Sequence, residues 1–378
     1  IGSLAAACGC FNGGTGRGTL LFTGAFSGDS SRLKMEELSS AETRSINMIQ
    51  LGQALNSLKP PIRAILVYNS NPFSVAPDGS MVRKGLERED LFSVVHEQVM
   101  TPTARYADLL LPATTFLENR DVHTAYGHFY LGVTEPVISP VGESISNFDL
   151  FQQLAQRLGY RDQAFFQPLE ERIRSYFESI PERPDGIDFD RYEPGTYLLS
   201  QKSHFDGCPF DGKQRVFRFI DANAPGVACH PVLPGGIEFD NPDLKSRFPF
   251  RLITPPNDKL LNSTFGERHR GDPGPVLIHP ADAAPRGIEE GSPVRLHNLR
   301  GSARRRARIS RDTQPGLVVA EGIYWPAEDG AGAGGINDVT SQQCSDIGGG
   351  AIFHEARVDI GLDADGGAAL NRFARRAL

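Results

Sequence analysis

Apolar positions follow two different rhythms along this chain. Between residues 46 and 160, helical stripes alternate with short, continuously apolar runs. Ile46, Ile49, Leu51, Leu55 and Leu58 fall near a 3.6-residue spacing and predict a helix that Pro60 and Pro61 stop. IRAILVYN (62–69) reads as a buried strand, VRKGLER (82–88) as a helix, LFSVVHE (91–97) as a second strand and LLLPA (109–113) as a third. In TPTARYAD (101–108), Thr101 and Pro102 form a helix-start signature, an N-cap followed by proline at the first helical position. Strands and crossover helices in this order predict a parallel sheet. FDLFQQLAQRLGY (148–160) predicts an amphipathic helix ended by Gly159. Residues 161–245 are irregular apart from a helix over 168–180. From 248 onward, FRLITP, PVLIHP, PVRLHN, RRARIS and GLVVAE are short strand-like runs between turns, with Gly291 and Gly316 in turn positions, which predicts a small β-barrel or sandwich.

Composition narrows the class without naming a function. The 378 residues suffice for two or three domains. A net charge of −7 argues against nucleic acid as the main partner, because such binding rests on neutralising phosphates. In the basic run 300–311, Arg304, Arg306 and Arg308 alternate as on a solvated strand face. No apolar run reaches the roughly 20 residues of a transmembrane helix. Five scattered cysteines (8, 10, 208, 229 and 344) look like free thiols in a reducing cytoplasm rather than a disulfide framework.

Candidate chemistry clusters at two places. In open parallel sheets, ligands bind beyond the carboxyl ends of the strands. Asn69 and Asn71 follow the first strand and Glu97 ends the second, where its carboxylate could accept from the N1–H and amino group of a guanine. Near the later strands, Thr254, Asn262, Ser263, Thr264, Asn337 and Thr340 are uncharged donors and acceptors beside apolar runs, suited to a polar heterocycle. Gly348, Gly349 and Gly350 would permit close backbone approach. The Gly-dense segment 11–18 lacks both the Walker and the Rossmann pattern and reads better as a turn. The best His–carboxylate cluster is His123 and His128 with Glu118 and Asp121; zinc fits the five-residue His spacing poorly. No catalytic residue and no metal ligand set is assigned.

On VYNSNP (67–72), TPTARYADLLLP (101–112), NFDLFQQLAQRLGY (147–160), LNSTFG (261–266), IHPADAAPRGIEEGSPVRLHN (278–298) and NDVTSQQCSDIGGGAIF (337–353), the chain resembles the molybdopterin oxidoreductase family. The resemblance implies an α/β fold: a Rossmann-like parallel-sheet domain (1–160), a connecting region (161–245) and a double-psi β-barrel (246–378) that binds molybdopterin dinucleotide. It implies two molybdopterin guanine dinucleotides with molybdenum or tungsten. By position, Asn69, Asn71 and Glu97 would meet a guanosine and its phosphates, with Thr103 and Asp108 shaping that pocket and Asn147 near the same nucleotide. Thr254, Asn262, Ser263, Asn337 and Thr340 would contact pterin or phosphate. Val339 in INDVT departs from the family's usual N-x-L-T, and the family's iron–sulfur motif and metal-ligating residue have no match. The chain is therefore expected to be the C-terminal half of a cytoplasmic enzyme, inactive by itself. The full enzyme would perform oxygen-atom transfer or a two-electron reaction on a small-molecule substrate, and an electron-transfer partner subunit is left open. The alternatives are a cofactor-free structural or interaction subunit that keeps the fold and, less favoured, an unrelated β-barrel hydrolase.

Overall fold

The computed structural model describes residues 4, 7, 8, 29–35, 38, 43–124, 130–180, 194–198, 238, 241–326, 334–345 and 348–364. The Gly-dense 11–18 segment, His128, Cys10, Cys208 and Cys229 lie outside them. The chain divides into two compact units that are discontinuous in sequence. One comprises Ile1–Arg44 with Ala113–Cys229, the other Ser45–Pro112 with His230–Leu378.

The second unit begins with the expected parallel sheet. Strands β1 (Ala64–Tyr68), β2 (Phe92–Glu97) and β3 (Leu109–Pro112) pair in parallel in the order β1-β2-β3. The helix Leu51–Ser57 and the helix Gly79–Leu86 cover one face of the sheet, burying Leu55, Phe73, Val82, Leu86 and Leu91 in one cluster. Complete burial of such a side chain contributes about 1.5–3 kcal/mol. The helix expected after Thr101 is reduced to the single 3-10 turn Ala104–Tyr106, although Thr101 Oγ1 does accept from Ala104 N at 3.2 Å. With Asp108 N bonding back to Ser93 O, no residues remain for a longer crossover.

The first unit holds an antiparallel sheet that the sequence pattern did not reveal. Its strands are β4 (Asp121–Thr124), β5 (Tyr130–Thr134) and β6 (Gly195–Leu198). Leu131 and Val133 pack on Ile173 and Phe177 of the helix Leu169–Glu178. The expected helix near 148–160 spans Asn147–Arg157, with Ser146 Oγ capping Asp149 N at 3.0 Å.

The remainder of the second unit is a closed six-stranded barrel. Its strands are β7 (Phe250–Ile253), β8 (Pro275–Ile278), β9 (Pro293–His297), β10 (Ser302–Ile309), β11 (Leu317–Val319) and β12 (Arg357–Leu362). They close in the order β10-β8-β11-β7-β12-β9. β10 runs parallel to β8 and β11 to β7, while the other neighbours are antiparallel. Leu252, Val276, Ile278, Val294, Leu296, Val318, Val358 and Ile360 fill the interior. Gly291 and Gly316 take the left-handed geometry their turns require, at φ 78° and 79°.

Strand alternation sorts the basic run. Arg306 and Arg308 face solvent, and Arg304 lies 2.8 Å from Asp363. Arg305 points inward between Ala303 and Ala307 and is buried. Its Nη1 donates to Arg304 O at 2.7 Å. Burial lowers its pKa to about 10, against the pull of Tyr324 and Asp272.

Close approach of the helices Leu51–Ser57 and Gly79–Leu86 depends on Gly85, where a Cβ would stand 2.5 Å from Leu55 Cβ. Gly85→Ala gains up to about 1 kcal/mol of helix propensity but overfills the contact by about 1–3 kcal/mol. Net destabilisation near 1 kcal/mol, read from urea unfolding, is the expected outcome.

Candidate functional site

The loop after β1 turns on Asn69, which is exposed and left-handed at φ 49°. Asn71, two residues on, is buried. Its Oδ1 accepts from Thr103 Oγ1 at 2.6 Å and from Thr103 N at 3.3 Å, and its Nδ2 donates to Ser74 Oγ at 3.1 Å. Thr103 Oγ1 in turn accepts from Phe73 N at 3.0 Å. These bonds stitch together the loops after β1 and β2 at the carboxyl end of the sheet. Glu97 stands half-buried at the end of β2 and accepts from Gln98 N at 2.8 Å. Desolvation raises its pKa, the Gln98 N–H opposes this, and the carboxylate of Glu267 adds to the rise. Glu267 opens the second half of the loop that carries Asn262 and Ser263, so that loop and the end of β2 feel each other's charge.

Asn337 lies in the 3-10 turn Ile336–Val339 and is buried. Its Nδ2 donates to Ser74 O at 2.8 Å and to Val75 O at 3.2 Å, tying the barrel to the loop after β1. Thr340 Oγ1 donates to Asn337 Oδ1 at 3.0 Å, and Asp78 N donates to Thr340 O at 3.1 Å. The same Asn337 borders a cleft of about 190 Å³ at the end of β7. Thr254, Asn262 and His354 supply its other polar groups; Pro255, Leu260, Ile323, Ile336 and Phe353 supply apolar walls. Thr254 N donates to His354 Nδ1 at 3.3 Å. Asn262 is left-handed at φ 53°. Ser263 is buried, its carbonyl accepting from Trp325 Nε1 at 2.8 Å.

Comparison with known proteins decides what this arrangement belongs to. The molydopterin dinucleotide binding domain matches residues 250–357, which include the cleft and the barrel strands β7 to β11, and the molybdopterin oxidoreductase model matches residues 1–157. The chain belongs to the molybdopterin oxidoreductase family. Over 330 residues it is 38% identical to the probable oxidoreductase YoaE of Bacillus subtilis, covering 84% of this chain and 47% of that protein. Over 325 residues it is 27% identical to the dimethyl sulfoxide/trimethylamine N-oxide reductase of Rhodobacter capsulatus, covering 71% of this chain and 37% of that one. The chain thus spans less than half the length of these relatives. The structure superposes on acetylene hydratase from Pelobacter acetylenicus with a TM-score of 0.67 at 20% identity, over 84% of this chain and 46% of that chain. That likeness concerns the fold alone.

Within this member of the molybdopterin oxidoreductase family, the residues singled out by sequence fall into separate groups. Thr254, Asn262 and Asn337 share one cleft. Asn71 and Thr103 are joined to each other, Thr340 bonds to Asn337, and Ser263 follows Asn262 in the chain. Asp108 sits at the other end of the sheet, before β3, where its Oδ2 accepts from Ser93 N at 2.7 Å and Ser93 Oγ at 2.9 Å. It pins the beginnings of β2 and β3, so the loops at the strands' carboxyl ends lie a strand's length away. Asn147 belongs to the other unit, as the first residue of the helix Asn147–Arg157. Sequence reasoning missed His354, which no local spacing connects to Thr254; the antiparallel β7–β12 pair brings them together across 100 residues. It also missed Asp338, whose only sequence signal was a charge among uncharged neighbours.

The His–carboxylate cluster resolves differently. His123 lies on β4 opposite Gly132, where a side chain would collide with its ring. Glu118 is a loop brace. Its Oε2 accepts from Thr115 N at 2.6 Å and Thr115 Oγ1 at 2.7 Å, and its Oε1 from Val141 N at 2.8 Å and Ser144 Oγ at 3.3 Å. The Thr115 bonds are the main reason its pKa falls to about 2. Its contribution to folding is present above the ordinary carboxylate range and is lost as pH falls toward 2. Glu118→Gln should therefore lower the urea midpoint at neutral pH, and the gap to the parent should close as pH approaches about 2.

Proposed function

We propose that the cleft bordered by Thr254, Asn262, Asn337 and His354 receives the pterin part of a molybdopterin guanine dinucleotide, and that Asn69 and Glu97 meet its guanosine. The observation that carries this is the convergence of amide, hydroxyl and imidazole groups from segments 100 residues apart on one partly apolar cleft. Uncharged donors and acceptors suit a heterocycle with several N–H and C=O groups, while apolar walls exclude water around it. The cleft's 190 Å³ has room for part of a dinucleotide, not for all of it. Among the described residues no three His, Cys, Asp or Glu side chains converge, so what these residues would hold is the organic part of the cofactor. When bound, the cofactor's metal supplies two-electron chemistry, including oxygen-atom transfer. This chain's own residues bind and orient: Asn337 fixes one cleft wall through Ser74 and Val75, and Glu97 presents a carboxylate to the guanine edge.

The reading extends to the whole protein. There it includes a Rossmann-like sheet domain, a double-psi barrel, two dinucleotides, an iron–sulfur cluster outside this chain, an electron-transfer partner and a cytoplasmic location. A second reading, a cofactor-free structural subunit, has one observation in its favour. Asn71, Thr103 and Thr340 already spend their hydrogen bonds inside the protein, as they would in an idle scaffold. Exposed Asn69 and Asn262, held in left-handed geometry at the loop tips, favour the cofactor reading.

Metal and pterin analysis of the full-length protein separates the two. Stoichiometric molybdenum or tungsten with a releasable guanine nucleotide is expected, and their absence ends the cofactor reading. Glu97→Gln is expected to weaken guanosine monophosphate binding about 10- to 100-fold, the worth of a charge-assisted hydrogen-bond pair, with adenosine monophosphate unaffected. Equal loss for both nucleotides in equilibrium dialysis would remove Glu97 from the guanine site.

A further inference from the structure

Asp338 is a buried carboxyl group that neither the fold nor the cofactor reading uses. It follows Asn337 in the Ile336–Val339 turn and is 3% exposed. Its two carboxyl oxygens are wedged between Gly79 and Gly334: a Cβ at Gly79 would collide with Oδ1, and one at Gly334 with Oδ2. A Cβ at Gly301 would stand 3.1 Å from its carbonyl oxygen. Three backbone segments therefore close around this one side chain. Among the described residues no hydrogen bond reaches its carboxylate.

The charged and titratable groups facing it do not compensate. Asp78, just before the Gly79–Leu86 helix, is a second carboxylate, and its Oδ2 accepts from Gln342 Nε2 at 2.9 Å. Arg83 lies one turn into that helix and favours the ionised form of Asp338, but from a distance at which no ion pair forms. The Tyr106 phenol feels Asp338 as well and has its own pKa raised, chiefly by burial. On the Gly301 side, the Arg300 guanidinium is turned to Glu238. Desolvation dominates, with Asp78 adding to it and Arg83 opposing, and the carboxyl titrates at about 7 against 3.8 for a free aspartate.

The surrounding bonds make this a seam. Ser80 Oγ donates to Arg300 O at 2.9 Å, Asp78 N to Thr340 O at 3.1 Å, and Asn337 Nδ2 to Ser74 O at 2.8 Å. Each joins the stretch from Ser74 to the first turn of the Gly79–Leu86 helix to the barrel, and Asp338 lies among them. We propose that Asp338 is a proton-operated clasp: its neutral carboxyl seats the Ile336–Val339 turn against the start of the Gly79–Leu86 helix, and loss of its proton loosens that seat together with the cleft wall that Asn337 provides. It is a positioning residue, acting on the cleft through its neighbour. The seam part of the proposal stands on its own; the ligand part rests on the cofactor-cleft reading.

The sign follows from linkage. The folded chain holds a proton on Asp338 that the unfolded chain releases above about pH 4, so the fold is favoured below that pH and loses this contribution as pH rises through about 7. Three measurements on the full chain test it. Carbon-13 carboxyl titration of the parent protein should show one aspartate near pH 7, absent from Asp338→Asn; every aspartate titrating below about pH 5 overturns the clasp without any variant. Urea unfolding at about pH 5 and pH 8 should show the parent losing at least about tenfold more in its folding equilibrium than Asp338→Asn; equal losses overturn it. Guanosine monophosphate is the ligand probe, at about pH 6 and pH 8, because Asn337 also holds the loop after β1 that carries Asn69. Binding that weakens at the higher pH in the parent and not in Asp338→Asn supports the clasp's hold on the loop after β1, and the same pH dependence in both overturns that hold. No binding to either protein, with the titration and unfolding results as expected, supports the clasp and overturns the guanosine placement at Asn69 and Glu97 instead.

Discussion

The second unit depends on a single side-chain amide. Asn337 reaches from the barrel to two main-chain carbonyls, of buried Ser74 and of part-buried Val75. A buried carbonyl without a donor costs about 1–3 kcal/mol, so the sheet and the barrel are bound by the demand that these groups be met as well as by apolar area. The constraint propagates. Thr340 fixes the far side of the Asn337 amide, Thr340's carbonyl receives Asp78, and the Gly79–Leu86 helix starts where that chain of bonds leaves it. One face of Ile336–Asn337 is then free to border the cleft.

This explains why the family's two matching regions, 1–157 and 250–357, do not correspond to the two compact units. Residues 45–112 pack with the barrel, because their loops supply the carbonyls and hydroxyls that the barrel's inner turn requires. The same economy of polar groups shapes the loops after β1 and β2. Asn71 and Thr103 satisfy each other, leaving exposed Asn69 and half-buried Glu97 as the groups turned outward.

Much of this was legible from sequence where the signal was local. Apolar runs of four to eight residues gave β1, β2, β3 and five of the barrel strands, and helical spacing gave the helices Leu51–Ser57, Asn147–Arg157 and Leu169–Glu178. Four strands escaped for a physical reason. Asp121–Thr124, Tyr130–Thr134 and Gly195–Leu198 are interrupted by polar residues or glycine, and Arg357–Leu362 carries Arg, Asp and Gly around its buried valine and isoleucine, so none reads as an apolar run. At the site, residue chemistry picked out Thr254, Asn262 and Asn337 before geometry joined them. His354 could not be found that way, because its partner lies 100 residues off and the pairing exists only once β7 and β12 are side by side. Nor could the position of Asp108 at the wrong end of the sheet for a ligand, since strand direction, not spacing, decides it.

The strand order of the barrel also sets when the site comes into being. β12, the last strand among the described residues, fills the gap between β7 and β9, strands that do not otherwise pair. Until Arg357–Leu362 leaves the ribosome, the earlier five strands form an open sheet with two bare edges, and His354 has no β7 to lean on. Nascent chains arrested before that point expose template edges of the kind that invite intermolecular pairing. The cleft beside His354 is thus assembled only after β12 has been made.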